Sequence, residues 1–214
     1  MNKFNSGNFL EAAEESLELK TYDGFAMAAE SLIIYGEHLA KPSERVGFFL
    51  KAMKISQDAI DMEPENPLAY AHLIRSEGRY AQSISTGKAL SEGHAEKLKN
   101  LLAKILYLDP NSWQGHLGFG AWHTEVVAKG GLPGKLLFGA SARQAISHFD
   151  KAYQLNLKSI LVNLEIAKEL LKLNQKKYRA RIRRHLQEAI ALPGVNAHEN
   201  ILLKEATELL TALK

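Results

Sequence analysis

The residues able to do chemistry fall in three stretches. The first is His123-x-Glu125, with His116 seven positions earlier, which offers imidazoles and a carboxylate for acid–base work or for a metal ion. Spacing argues against both. Side chains two apart on a helix point in different directions. His116 and His123 share a face but lie two turns apart, roughly 10 Å, too far for one ion. His123 therefore reads as a packed or hydrogen-bonded histidine, and Trp122 beside it as core. The second stretch, Lys129-Gly130-Gly131-Leu132-Pro133-Gly134-Lys135-Leu136, has the glycines and lysine of a phosphate loop. It fails on spacing, on Leu136 where Ser or Thr is required, and on the absence of a preceding strand. It reads as a long loop over residues 129–140 that covers one end of a binding groove, with Leu132, Leu136, Leu137 and Phe138 tucked against helices.

The third stretch is Lys176-Lys177-Tyr178-Arg179-Ala180-Arg181-Ile182-Arg183-Arg184-His185, the densest positive run. Tyr178, Ile182, Leu186 and Ala189 follow helical spacing and claim one face for a core. The cations fill the remaining circumference, as on any solvated helix face. The alternative is an electrostatic attachment to nucleic acid or an anionic membrane through residues 176–185. No second aromatic is interleaved as a stacking platform, which disfavours nucleic acid. With no cysteine, disulfides, thiolate metal sites and cysteine nucleophiles are excluded. No catalytic constellation emerges, and the chain reads as a non-enzyme without metal or cofactor.

The elements that carry these residues are helical. With 46% hydrophobic and 24% charged residues in 214, the chain can bury a core. Its net charge of +3 is unevenly spread: residues 1–110 hold 12 Lys/Arg against 16 Asp/Glu (−4), and residues 111–214 hold 15 against 8 (+7). A negatively charged partner would favour the C-terminal half, and the opposed ends could drive a head-to-tail homo-oligomer. The start lacks the apolar core of a signal peptide, and no apolar run is long enough to span a bilayer. The expectation is a cytoplasmic protein if Met1 is the natural start, and a periplasmic one if a leader precedes it.

Amphipathic helices are expected over 7–19, from Thr21 or Asp23 to about 39, and from Pro42 to about Met62. At Asp61-Met62-Glu63-Pro64-Glu65-Asn66-Pro67 the first proline ends one helix, Asn66 caps the next and Pro67 suits its first position. The junction recurs at Asp109-Pro110-Asn111-Ser112, weakly at Leu155-Asn156-Leu157-Lys158-Ser159, and last at Leu192-Pro193-Gly194. The spacings, roughly 48, 47 and 36 residues, suit helix–turn–helix repeats of ~34 residues with insertions. Asn196 caps a final helix. No stretch alternates as a strand does. The expected fold is all-α: a right-handed tetratricopeptide-like α–α superhelix of about ten helices. It is read as one domain, most repeat-like over 45–192, with 1–40 and 195–214 as flanking or capping helices.

Setting the junction prolines in register lines a concave groove. One helix contributes Leu68, Ala71, Arg75 and Arg79, the next Gln114, Leu117, Ala121, Thr124 and Glu125, and the third Leu161, Leu164, Lys168 and Lys172. Arg75, Arg79, Lys168 and Lys172 then form a basic floor around Glu125. Arginine forks capture carboxylates in pairs, so an acidic peptide, a C-terminal carboxylate or a small anion is the natural ligand. The bland alternative is that these charges are solvated or pair locally, Arg75 or Arg79 with Glu77 or Glu125.

Leu108-Asp109-Pro110, Phe119-Gly120-Ala121-Trp122-His123-Thr124-Glu125-Val126, Leu137-Phe138-Gly139-Ala140-Ser141 and then Ala145, Phe149, Lys151 and Ala152 resemble the regulator of microtubule dynamics family and its bacterial relatives. Those proteins carry a similar Gly-x-Trp-x-x-Glu-Val helix followed by a loop that ends in Phe-Gly. The resemblance covers about residues 45–192. It implies a tetratricopeptide-like helical fold and a scaffold or adaptor that binds a protein or peptide segment. It does not extend to a membrane anchor or to microtubule association.

Overall fold

Side-chain caps decide where the helices begin. The computed structural model describes residues 2–213. Among these residues there are eleven α-helices, one π-helical turn and no strand. The chain packs as two compact units, one ending at Pro110 and one beginning at Asn111. That boundary coincides with the change from net negative to net positive sequence.

The first unit holds α1 (Asn2–Asn5), α2 (Phe9–Glu18), α3 (Tyr22–Ile34), a π turn (Tyr35–Leu39), α4 (Arg45–Met62), α5 (Pro67–Ser83), α6 (Thr86–Ser91) and α7 (His94–Leu108). Thr21 Oγ1 accepts from the Gly24 amide at 3.1 Å, which starts α3. Asn66 Oδ1 accepts from Leu68 N at 3.0 Å and Pro67 takes the first helical position, as the sequence implies. Gly93, at φ 71°, makes the turn into α7. Each long helix packs on the next: α2 on α3, α3 on α4, α4 on α5 and α5 on α7. Ala13, Ala28, Leu32, Ile33 and Ala52 form a shared core where small residues bring the helices close.

The second unit holds α8 (Trp113–Phe138), α9 (Ala142–Leu155), α10 (Ile160–Ile190) and α11 (Ala197–Ala212). Their caps are Ser112, Ser141, Ser159 and Asn196, each accepting an amide three residues on. Helix α8 packs on α9 and α10, and α10 packs on α11. Phe149, Leu164, Ile166, Leu170, Ile182, Leu186 and Leu202 fill this core. Ile182, Leu186 and Ala189 are fully buried, so the basic run does give one face to the core.

Residues 129–140 depart from expectation. They are not a loop: α8 continues through them, broken at Gly131 (φ 55°, ψ −145°) and ended by Gly139 at φ 69°. Only glycine adopts such a φ without strain, and Pro133, just past the break, suits the first turn of a new helical segment. Nor do the leucines tuck in. Leu132, Leu136 and Leu137 are 68%, 77% and 72% exposed; Phe138 alone turns inward, edge-on to Trp122. Helix α10 has a comparable break at Asn174, whose Oδ1 accepts from Lys177 N at 2.9 Å and so caps the basic second half.

Candidate functional site

In the first unit the π turn that ends α3 presents Glu37 to α5. Arg75 Nη2 donates to Glu37 Oε2 at 2.8 Å, and Arg79 Nη2 lies 2.5 Å from Oε1. Arg75 and Arg79 are one turn apart, so their guanidiniums converge on a single carboxylate from one helix face. The three side chains are 20%, 16% and 11% exposed (Arg75, Arg79, Glu37), enough to strengthen the pairing while leaving an edge open to water. Arg79 Nη1 also donates to Gln82 Oε1 at 3.0 Å. The sequence reading nominated Glu77 or Glu125 as local partners of these arginines. Glu77 is instead fully buried and accepts from Lys97 at 2.7 Å while lying 2.5 Å from His94 Nδ1. The other ring nitrogen of His94 meets Glu92, to which Tyr80 also donates.

In the second unit Glu125 on α8 receives Lys172 of α10 at 2.6 Å and Lys129 at 3.0 Å. Burial pushes the Glu125 carboxyl up, but Lys172 and Lys129 outweigh it and leave it below the ordinary carboxylate range. Lys172 donates again to Glu169 at 2.8 Å, and Lys168 joins Glu165 at 3.0 Å to Glu205 at 2.9 Å. The expected basic floor from Lys168 and Lys172 is therefore a compensated network, with four carboxylates around three lysines. Burial dominates at Glu169 and lifts it to about 7 despite Lys172. Its second oxygen is buried without a hydrogen-bond partner.

Thr124 and Gln114 were also expected along the groove. Thr124 is fully buried, so it cannot line an open wall; in the helical register it falls on the core side of α8. Gln114 sits at the start of α8, where its Oε1 accepts from the capping Ser112 hydroxyl at 3.3 Å. Trp122 and His123 are both 5% exposed, in keeping with a core reading.

Sequence reasoning missed His148. It brings its Nδ1 within 3.0 Å of His116 Nδ1 and stacks on Phe119 at 4.9 Å, tilted 22°. Burial, then the neighbouring His116, pushes His148 down to about 4, so it is neutral at pH 7. One ring nitrogen then donates to the other, and the cluster with His123, Phe119 and Trp122 is an aromatic layer between α8 and α9. Among the described residues no group of three or more His, Asp or Glu is arranged to hold a metal ion. The basic run leaves Lys176, Lys177, Arg179 and Arg183 exposed, whereas Arg181 is tied to Asp150 at 2.5 Å.

The family model for regulator of microtubule dynamics protein 1-3 matches residues 8–214. The chain belongs to this family. The match reaches beyond the 45–192 span that carried the sequence resemblance. It takes in Glu37 and its two arginines as well as the α8–α9 pair and the final helix, so both units are family structure. No curated protein matches the chain. No helix among the described residues is long and apolar enough to cross a membrane.

Proposed function

We propose that this family member is a non-enzymatic helical scaffold or adaptor that takes an acidic protein segment or a small carboxylate at Arg75 and Arg79. The observation that carries the reading is the convergence of both guanidiniums on Glu37. Glu37 stands in for a ligand carboxylate, with the two arginines donating to its two oxygens. Arginine forks of this kind recognise carboxylates by shape as well as charge. A ligand must displace Glu37, which sets its affinity by exchange of one carboxylate for another. Lys172 pairs with Glu125 and Lys168 with Glu165 and Glu205, so these charges contribute less than the sequence alone implies.

The test is binding of a fluorescein-labelled oligoglutamate with a free C-terminus, measured by anisotropy. Glu37→Gln should raise its affinity, and Arg75→Glu with Arg79→Glu should abolish it while helicity by circular dichroism is kept. Equal affinity across these variants rejects the reading.

A second reading has its own observation. Lys176, Lys177 and Arg179 stand exposed on the second half of α10 with no carboxylate among the described residues within ion-pair distance, and the exposed Arg183 donates to the Leu213 carbonyl. Such a face supports electrostatic attachment to a polyanion. Retention on heparin that falls steeply with salt and is lost in Lys176→Gln, Lys177→Gln, Arg179→Gln favours it; salt-independent or absent retention rejects it.

A further inference from the structure

The segment beyond Gly131 is the least explained part of the molecule. It is too well ordered by its own helical turns to be a loose connection, yet Leu132, Leu136 and Leu137 are 68%, 77% and 72% exposed. Positions 132 and 136 are one turn apart and lie about 40° apart around the axis, and 137 lies about 100° further round, so the three leucines cover roughly 140° of a short helix. Single exposed leucines are ordinary, but three within six residues over less than half of one helix mark a contact surface.

The surrounding charge says which kind. From Val126 to Phe149 the chain carries Lys129, Lys135 and Arg143 and no acid. Lys135 is exposed with no carboxylate among the described residues in ion-pair range, and Lys129, 44% exposed, shares Glu125 with Lys172. Exposed leucines on a short helical segment with lysines near them in the chain are the arrangement of an interfacial anchor: apolar side chains reach the acyl boundary and the long cationic stems rise to the phosphates. A partner helix would call for a groove or a longer stripe than seven residues provide.

We propose that the helical segment Leu132–Phe138 docks the protein on an anionic lipid bilayer. Leu132, Leu136 and Leu137 enter the interface, and Lys129 and Lys135 meet the headgroup phosphates. The proposal is independent of the Arg75–Arg79 reading, since it uses none of those residues. Three partly inserted leucines and two lysines give a reversible surface attachment, not a spanning one.

Flotation of the full chain with phosphatidylcholine vesicles, with and without phosphatidylglycerol, tests it. The protein should float with the anionic vesicles. Leu132→Ser, Leu136→Ser, Leu137→Ser together should lower partitioning by about tenfold or more. Because all three side chains are exposed, helicity should be unchanged. A single Leu136→Trp reporter should shift its emission to the blue on adding anionic vesicles and stay unshifted with the neutral ones. The proposal is overturned if the wild type does not float or if the tryptophan emission does not move. It is equally overturned if the triple serine variant floats as well as the wild type while Lys176→Gln, Lys177→Gln, Arg179→Gln does not, which assigns binding to α10. Light scattering that finds a dimer which the serine variant dissolves, with no flotation, assigns the leucines to a second copy and also overturns it.

Discussion

The ring of Phe149 on α9 lies so close against Gly120 of α8 that a Cβ at Gly120 would stand 2.2 Å from its Cε1. Phe149 is fully buried, so the ring has nowhere to move. Gly120 is thus the point at which α8 and α9 approach. Gly120→Ala should lower stability by about 1–3 kcal/mol through overpacking, although alanine is the better helix former. Phe149→Ala should cost about 3–5 kcal/mol. Urea unfolding of both, and of Gly120→Ala combined with Phe149→Leu, checks the contact. The alanine should cost less in the leucine background, and strict additivity would contradict it.

Glu37 is the counter-ion of two partly buried arginines. Glu37→Ala removes the carboxylate that both guanidiniums share and should destabilise the fold by about 1–3 kcal/mol. Added acetate should restore part of the melting temperature by occupying the vacated place, and should leave Arg75→Gln, Arg79→Gln unaffected. A melting temperature of Glu37→Ala that acetate does not raise counts against an anion site there.

The acid side of the stability profile is set by buried neutral histidines. Burial, then Arg184 and Arg181, pushes His185 down to about 3, and its Nδ1 lies 2.8 Å from Asn163 Oδ1, to which it donates. His148 is held at about 4. In the unfolded chain both return to about 6.5, so between those values the unfolded state binds more protons. The stability these two groups contribute should therefore be complete above pH 6.5 and fall as pH drops toward 4. His185→Gln should flatten that slope by on the order of 2–4 kcal/mol, read from denaturant midpoints across the range.

Glu169 acts in the opposite sense. Its carboxyl is raised by burial from 4.5 to about 7, so the folded state binds the extra proton. Stability from this group is present below pH 4.5 and lost as pH rises through about 7. Glu169→Gln keeps the volume and still accepts from Lys172, so the variant should gain on the wild type as pH rises from 4.5 to about 7. A gain of on the order of 1–3 kcal/mol at pH 8 is expected, and the same offset at every pH would show that Glu169 does not titrate in this window.

What was legible in the sequence is local. Helical periodicity, the capping residues Thr21, Asn66, Ser112 and Asn196, and the prolines at 64 and 110 act within a few residues, so the all-α class and most helix ends follow from them. The Trp-x-x-Glu-Val helix and the Phe-Gly end carried the family. The segment 129–140 was misread because four glycines and a proline are loop composition; one left-handed Gly131 absorbs the break and the helix resumes.

The charge map was decided only by tertiary structure. Nothing within reach of Arg75 in the chain announces Glu37, 38 residues away on a π turn, nor His148 opposite His116. Thr124 looked like a wall position and is core, because a one-residue rotation on a helix moves a side chain by about 100° and only packing fixes that rotation. Residue types along the chain determined which helices form and where they stop, since those forces act over one or two turns. Which carboxylate meets which cation, and which leucines face water, depended on how the helices pack, because an ion pair or an exposed face exists only between elements brought together in space.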